Sequence, residues 1–103
     1  MALSSATPLA ETENLDAYPA APEGFNVARA NTPQGELNVV EYDSKTLGLR
    51  RLLRVYTPPG YSADRKYPVL YLHHGLGNTS TEWTQLARAP IIIDNLLADK
   101  KIE

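Results

Sequence analysis

No cysteine occurs in the 103 residues, which excludes disulfide staples and thiolate metal sites. No apolar run approaches the roughly 18 residues that a membrane-spanning helix requires. The opening Met1-Ala2-Leu3-Ser4-Ser5-Ala6-Thr7-Pro8 has neither the basic region nor the apolar block of a signal peptide. An excess of positive charge is missing as well. Ten Lys and Arg stand against twelve Asp and Glu, for a formal net charge of −2. The basic residues are scattered, apart from Arg50, Arg51 and Arg54 and the Lys100-Lys101 pair. Neither nucleic acid nor a membrane surface is therefore expected as a partner.

What is present is a moderately apolar chain, 43% hydrophobic and 21% charged, a balance that argues for a packed core and against global disorder. Residues 1–35 are rich in Ala, Pro, Thr, Glu and Asn. Pro8, Pro19, Pro22 and Pro33 break them up, so they read as a leader or linker. The first fifteen are expected to be disordered, whereas Tyr18, Phe25 and Val27 equip the second half to pack on a domain surface. Residues 36–103 form the domain proper.

Glu36 to Tyr42 alternates polar and apolar side chains and predicts a half-buried strand. Asp43 to Gly48 supplies a turn, and Leu49 to Thr57 a second strand. The short link makes the pair antiparallel. Arg50, Arg51 and Arg54 are expected on a solvated face at the sheet edge, where charge discourages further pairing. Pro58-Pro59-Gly60 ends the second strand, with Gly60 placed for the positive φ of a type II turn.

Tyr67-Pro68-Val69-Leu70-Tyr71-Leu72 is a nearly continuous apolar run, the pattern of a strand covered on both faces in a parallel sheet. After a loop over 73–89, Pro90 begins a helix predicted to run to about Lys100. Ile92, Ile93, Leu96 and Leu97 give it one apolar face, and Lys100 and Lys101 suit its negative end. Asp94 and Asp99 read as surface charges on this helix, and Thr79 with Glu82 has the spacing of a capping box. A further parallel strand is expected after Glu103.

The stretch that bears on chemistry is His73-His74-Gly75-Leu76-Gly77-Asn78-Thr79-Ser80-Thr81-Glu82-Trp83. It leaves the carboxyl end of the predicted buried strand, the edge at which open α/β sheets bind ligands. Gly75 and Gly77 flank Leu76 and allow the backbone to approach a ligand closely. The backbone N–H of Leu76 is thus a candidate donor to a developing oxyanion. The plainer alternative is a glycine turn with no further role. Neither a dinucleotide fingerprint nor a P-loop is completed downstream.

Val40 to Ser44, Arg54 to Tyr61, Lys66 to Gly75, Glu82-Trp83 and Ile93 to Ala98 together resemble the opening of carbohydrate esterase family one. This is the feruloyl and acetylxylan esterase group, also called esterase D-like. The resemblance implies the amino-terminal portion of an α/β-hydrolase fold: two antiparallel strands, a buried strand, an oxyanion loop and a helix. It implies a serine-type carboxylic ester hydrolase, with no cofactor and no metal, that removes feruloyl or acetyl groups from plant cell-wall polysaccharide. Leu76 inherits the oxyanion role through its backbone, and Gly75, Gly77 and Trp83 are expected to bind substrate, Trp83 near the acyl or sugar pocket.

The nucleophile elbow Gly-x-Ser-x-Gly is absent from these residues. In this fold the triad follows in the order Ser, acid, His, so its members are expected beyond Glu103. His73 and His74 precede any nucleophile and are expected to shape the loop. The partners implied are an ester-bearing carbohydrate and the remainder of the hydrolase domain, in a secreted or periplasmic setting. Two rivals remain at this point: a cytoplasmic thioesterase of the S-formylglutathione hydrolase type, and a non-catalytic fragment or binding module.

Overall fold

A computed structural model of the chain describes residues 18–103. The disorder expected for the first fifteen residues lies outside the described residues. Strand β1 spans Glu36–Ser44 and strand β2 spans Leu49–Thr57. They form an antiparallel two-stranded sheet in which Glu36 faces Thr57, Val39 faces Arg54 and Ser44 faces Leu49. Strand β1 runs two residues further than the alternation predicts. The pairing continues until Ser44 takes over the turn, accepting the Gly48 N–H on its carbonyl at 2.8 Å and the Leu47 N–H on its hydroxyl at 3.3 Å.

Successive side chains on a strand point to opposite faces, so Arg51 lies across the ribbon from Arg50 and Arg54. The three arginines do not share one solvated face. Arg50 reaches Glu41 at 3.2 Å and Asp43 at 3.4 Å. Both pairs are open to solvent and contribute little to stability. Arg54 differs, because its Nε is buried without a hydrogen-bond partner among the described residues.

The turn after β2 forms as its residues dictate. Tyr61 N–H donates to the Pro58 carbonyl at 3.0 Å, and Gly60 takes φ +72°, the left-handed conformation that the third position of a type II turn requires. The chain then folds onto itself: the Tyr67 hydroxyl accepts the Ser62 N–H at 3.1 Å, and the Tyr61 and Tyr67 rings lie 5.2 Å apart.

Residues 67–72 correct the sequence reading. They belong to no sheet, and Val69, Leu70 and Tyr71 are 71%, 72% and 77% exposed. A strand exists only through a neighbour that takes up its N–H and C=O groups, and no such neighbour stands among the described residues. For the same reason the packed core expected from composition is absent. No hydrophobic residue is buried among those described, since one ribbon and one short helix cover each other's apolar surfaces only in part.

Helix α1 spans Ala89–Ala98, with Pro90 in its first turn. It starts one residue before Pro90 and ends two before Lys100. Lys100 takes φ +53°; its N–H donates to Leu97 and that of Lys101 to Leu96. These two bonds close the helix as a Schellman motif.

Asp94 is a second correction. It is not a surface charge but 8% exposed, beside Asn95 at 3%. Asp94 Oδ1 accepts the Gly35 N–H at 2.8 Å and the Tyr56 hydroxyl at 2.5 Å. Asn95 Nδ2 donates to the carbonyls of Phe25 and Val27 at 2.9 and 3.0 Å. Asp99 does stay exposed, gripping Arg29 through both carboxylate oxygens at 2.7 and 3.1 Å. One polar stripe of α1 thus ties residues 25–35 and the end of β2 together. No helix among the described residues is long and apolar enough to cross a membrane.

Candidate functional site

The loop over 73–77 is built by a tight turn and held by two side chains from the turn of helix that follows it. Asn78 N–H donates to the Gly75 carbonyl at 3.2 Å, which closes a four-residue turn with Leu76 and Gly77 at its centre. Gly77 takes φ +79°, where any other residue would be strained. Gly75 is not in that region, and a Cβ there would meet no atom closer than 4.0 Å. The conformational demand for glycine therefore falls on Gly77 and not on both glycines. The Gly75 carbonyl also receives His74 Nδ1 at 2.8 Å, with the ring in the tautomer that carries its proton there.

Residues Glu82–Leu86 form a single π-helical turn, closed by Ala87 N–H on the Glu82 carbonyl at 3.0 Å. Its first two side chains both point back to the loop. Glu82 Oε2 accepts the Gly75 N–H at 2.7 Å, and its Oε1 accepts Asn78 Nδ2 at 2.8 Å. Trp83 Nε1 donates to the His73 carbonyl at 2.8 Å.

The capping box expected of Thr79 and Glu82 does not form. Thr79 Oγ1 pairs with Thr81 Oγ1 at 2.8 Å, the helical turn has no side-chain cap, and the Glu82 carboxylate is committed to Gly75. Two charge-assisted bonds to separate donors outweigh one neutral cap.

The loop's hydrogen-bonding groups can now be accounted for. The Gly75 N–H is taken by Glu82, and the Gly75 carbonyl by Asn78 and His74. The N–H groups of Leu76 and Gly77 have no acceptor among the described residues. Leu76 is fully exposed at the centre of the turn. Trp83 is 38% exposed, with its indole N–H anchored on His73. Sequence reasoning singled out Gly75, Leu76, Gly77 and Trp83, which the structure brings together on one loop. It missed Glu82 and Asn78 as residues that hold it, whereas His74, expected to shape the loop, does so through the Gly75 carbonyl. A turn and irregular backbone separate Gly75 from Glu82, so no helix or strand period applies between them and only the return of the chain makes the contact.

Grooves among the described residues lie elsewhere, between residues 22–34 and α1, where Phe25, Ile92, Asn95 and Leu96 form part of the lining. Among the described residues, no three His, Asp or Glu side chains converge as a metal site requires.

Comparison with known proteins adds two findings. The family model described as "Putative esterase" matches residues 44–103. An endo-1,4-beta-xylanase/feruloyl esterase of Xylanibacter ruminicola is 37% identical over 90 residues, which cover 82% of this chain and 12% of the relative. The chain thus aligns with about an eighth of the length of the curated relative it matches.

Proposed function

The chain belongs to the esterase family, and from that premise we propose that it supplies one side of the oxyanion hole of a serine-type carboxylic ester hydrolase with the α/β-hydrolase fold. The observation that carries this reading is the state of the loop's donors. Gly75 N–H is already committed to Glu82, while Leu76 N–H in the turn has no acceptor among the described residues. Acyl transfer in this fold uses an N–H from this loop together with the N–H of the residue after the nucleophile. The serine and its histidine lie outside the 103 residues in this reading, in the remainder of the hydrolase domain.

The reaction then runs in two halves. The serine oxygen bonds to the ester carbonyl carbon as histidine takes its proton, and the carbonyl oxygen becomes an anion held by Leu76 N–H and the second donor. The C–O bond to the leaving alcohol breaks as histidine returns the proton to it. Water repeats the sequence on the acyl-enzyme and releases the acid. The twofold name of the relative, xylanase and feruloyl esterase, supports feruloyl or acetyl groups on plant cell-wall polysaccharide as the substrate. A polymer of that kind places the enzyme outside the cytoplasm.

The 103-residue chain alone is expected to hydrolyse neither p-nitrophenyl acetate nor methyl ferulate above the buffer rate. One oxyanion donor without a nucleophile has no intermediate to stabilise. Activity should appear when the chain is joined to the rest of the hydrolase domain. Turnover by the purified chain itself, surviving removal of contaminating esterases, refutes the division of the site.

Trp83 is assigned two tasks in the complete enzyme: its N–H anchors the loop and its ring face meets the acyl group. Trp83→Phe keeps the ring and removes the bond to His73, so kcat should fall while KM for methyl ferulate holds. Trp83→Ala should in addition raise that KM by roughly 2- to 12-fold, the equivalent of about 0.5–1.5 kcal/mol of ring stacking. Equal KM values for the two variants would remove the ring from the binding site.

A further inference from the structure

Among the described residues, Glu82 is the carboxylate that hydrogen-bonds to the 73–77 loop, at the Gly75 N–H, and it also holds Asn78 just beyond it. We propose that it is a positioning residue, one that withdraws the Gly75 N–H from the oxyanion and holds the turn that presents the N–H groups beyond it, that of Leu76 first. This rests on the reading of the loop as one side of an oxyanion hole.

A glycine-flanked turn offers three successive N–H groups, those of Gly75, Leu76 and Gly77, and nothing local decides which of them faces a ligand. The Glu82 carboxylate removes the first of them and fixes the turn that carries the other two. Oε2 fixes Gly75 at 2.7 Å and Oε1 fixes Asn78 at 2.8 Å, so the residues on both sides of Leu76-Gly77 are clamped by one rigid group. The clamp is in turn anchored at its own backbone. Glu82 N–H donates to the Thr79 carbonyl at 3.1 Å, and its carbonyl closes the π-helical turn. A loop so held need not reorganise when the oxyanion forms, which is the condition under which such donors are most effective.

The chemistry of the contact predicts an unusual order among substitutions. Both bonds to Glu82 are accepted ones, and Asn78 can rotate its amide to present oxygen instead of nitrogen. Glu82→Gln then keeps the clamp: the Gln carbonyl accepts the Gly75 N–H, and its NH₂ donates to the turned Asn78. Glu82→Asp keeps the charge but is one methylene too short to span both partners. A carboxylate acting through its charge or as a proton carrier gives the opposite order, with Asp retained and Gln lost.

The test is steady-state kinetics on methyl ferulate in the complete enzyme, with melting temperature measured alongside. Glu82→Ala and Glu82→Asp should lower kcat by roughly 10- to 100-fold, the scale of a misplaced reacting group, and leave KM within about threefold because Glu82 does not touch substrate. Glu82→Gln should stay within a few-fold of the parent kcat. In enzyme labelled with ¹⁵N at glycine, the Gly75 amide proton should lie downfield in the parent and in Glu82→Gln, and move upfield in Glu82→Ala.

Near-parental kcat in Glu82→Ala overturns the proposal, as does a Gln variant no better than Ala or an Asp variant equal to the parent. Should Glu82→Ala fail to fold, the Gln and Asp pair still decides. A Leu76 backbone ester that leaves kcat intact defeats the assignment of Leu76 as the donor instead, and the Gly75 amide shift then still reports whether the clamp exists.

Discussion

An ester in place of the Leu76 amide is expected to lower kcat of the complete enzyme by roughly 10²–10³, the loss measured when one oxyanion donor is deleted and equal to about 2.7–4 kcal/mol of transition-state stabilisation. The substitution replaces N–H by O and leaves the side chain unchanged, so it isolates the donor. Leu76→Ala keeps the donor and should cost little in kcat, because the Leu76 side chain is fully exposed and packs on nothing among the described residues. Leu76→Pro also deletes the donor. Proline tolerates the second position of a type II turn, which is where Leu76 stands relative to the Gly75–Asn78 bond. The proline variant should therefore fold and reproduce most of the loss. An ester variant that folds and turns over normally would shift the assignment to Gly77 N–H, the other free donor of the turn.

The second large effect is on stability. Asp94→Ala leaves both the Gly35 N–H and the Tyr56 hydroxyl without their acceptor. At about 1–3 kcal/mol for each stranded donor, the complete enzyme should lose roughly 2–6 kcal/mol in a denaturant titration. Asp94→Asn retains an Oδ1 in the place that accepts both bonds, so it should cost only a fraction of that. An alanine variant as stable as the asparagine one would mean that the hub contributes nothing.

The same contact has a signature at high pH. Partial burial, and then the hydrogen bond to Asp94, push the Tyr56 hydroxyl well above the ordinary tyrosine value. A raised value means that the fold favours the protonated phenol. Its contribution is complete below pH about 10, where a free tyrosine ionises, and is lost as the pH climbs from there through the higher folded value. Parent enzyme should therefore lose stability above pH about 10 more steeply than Tyr56→Phe, and the two curves should converge at the alkaline end.

The balance between legible and illegible features follows from the range of the interactions involved. The hairpin was readable because alternation and turn residues act between near neighbours: β2 runs Leu49–Thr57 as its pattern dictates, and Gly60 takes the left-handed turn that Pro58-Pro59-Gly60 encodes. Helix α1 was readable for the same reason, with ends displaced by one or two residues. Its stop is set by the conformation of Lys100 and not by composition. The apolar run 67–72 failed as a strand because a strand is a relation to a partner. The pattern records the wish for cover on two faces, not its presence.

Asp94 and Glu82 were misread for a related reason. In sequence, a carboxylate on a helix looks like a solvated charge, and Thr79-x-x-Glu82 looks like a cap. What decides between a surface charge and a buried acceptor is which distant donors the fold delivers: Gly35 lies 59 residues from Asp94 and Tyr56 lies 38 from it. Sequence by itself determined the hairpin, the helix, the family and the loop on which Gly75, Leu76, Gly77 and Trp83 meet, since local conformational preference and a run of matching residues suffice for these. Only the tertiary structure decided which N–H of that loop is already taken, that of Gly75. That depends on a carboxylate seven residues away returning to claim it, a contact fixed by the path of the chain and by no periodicity within it.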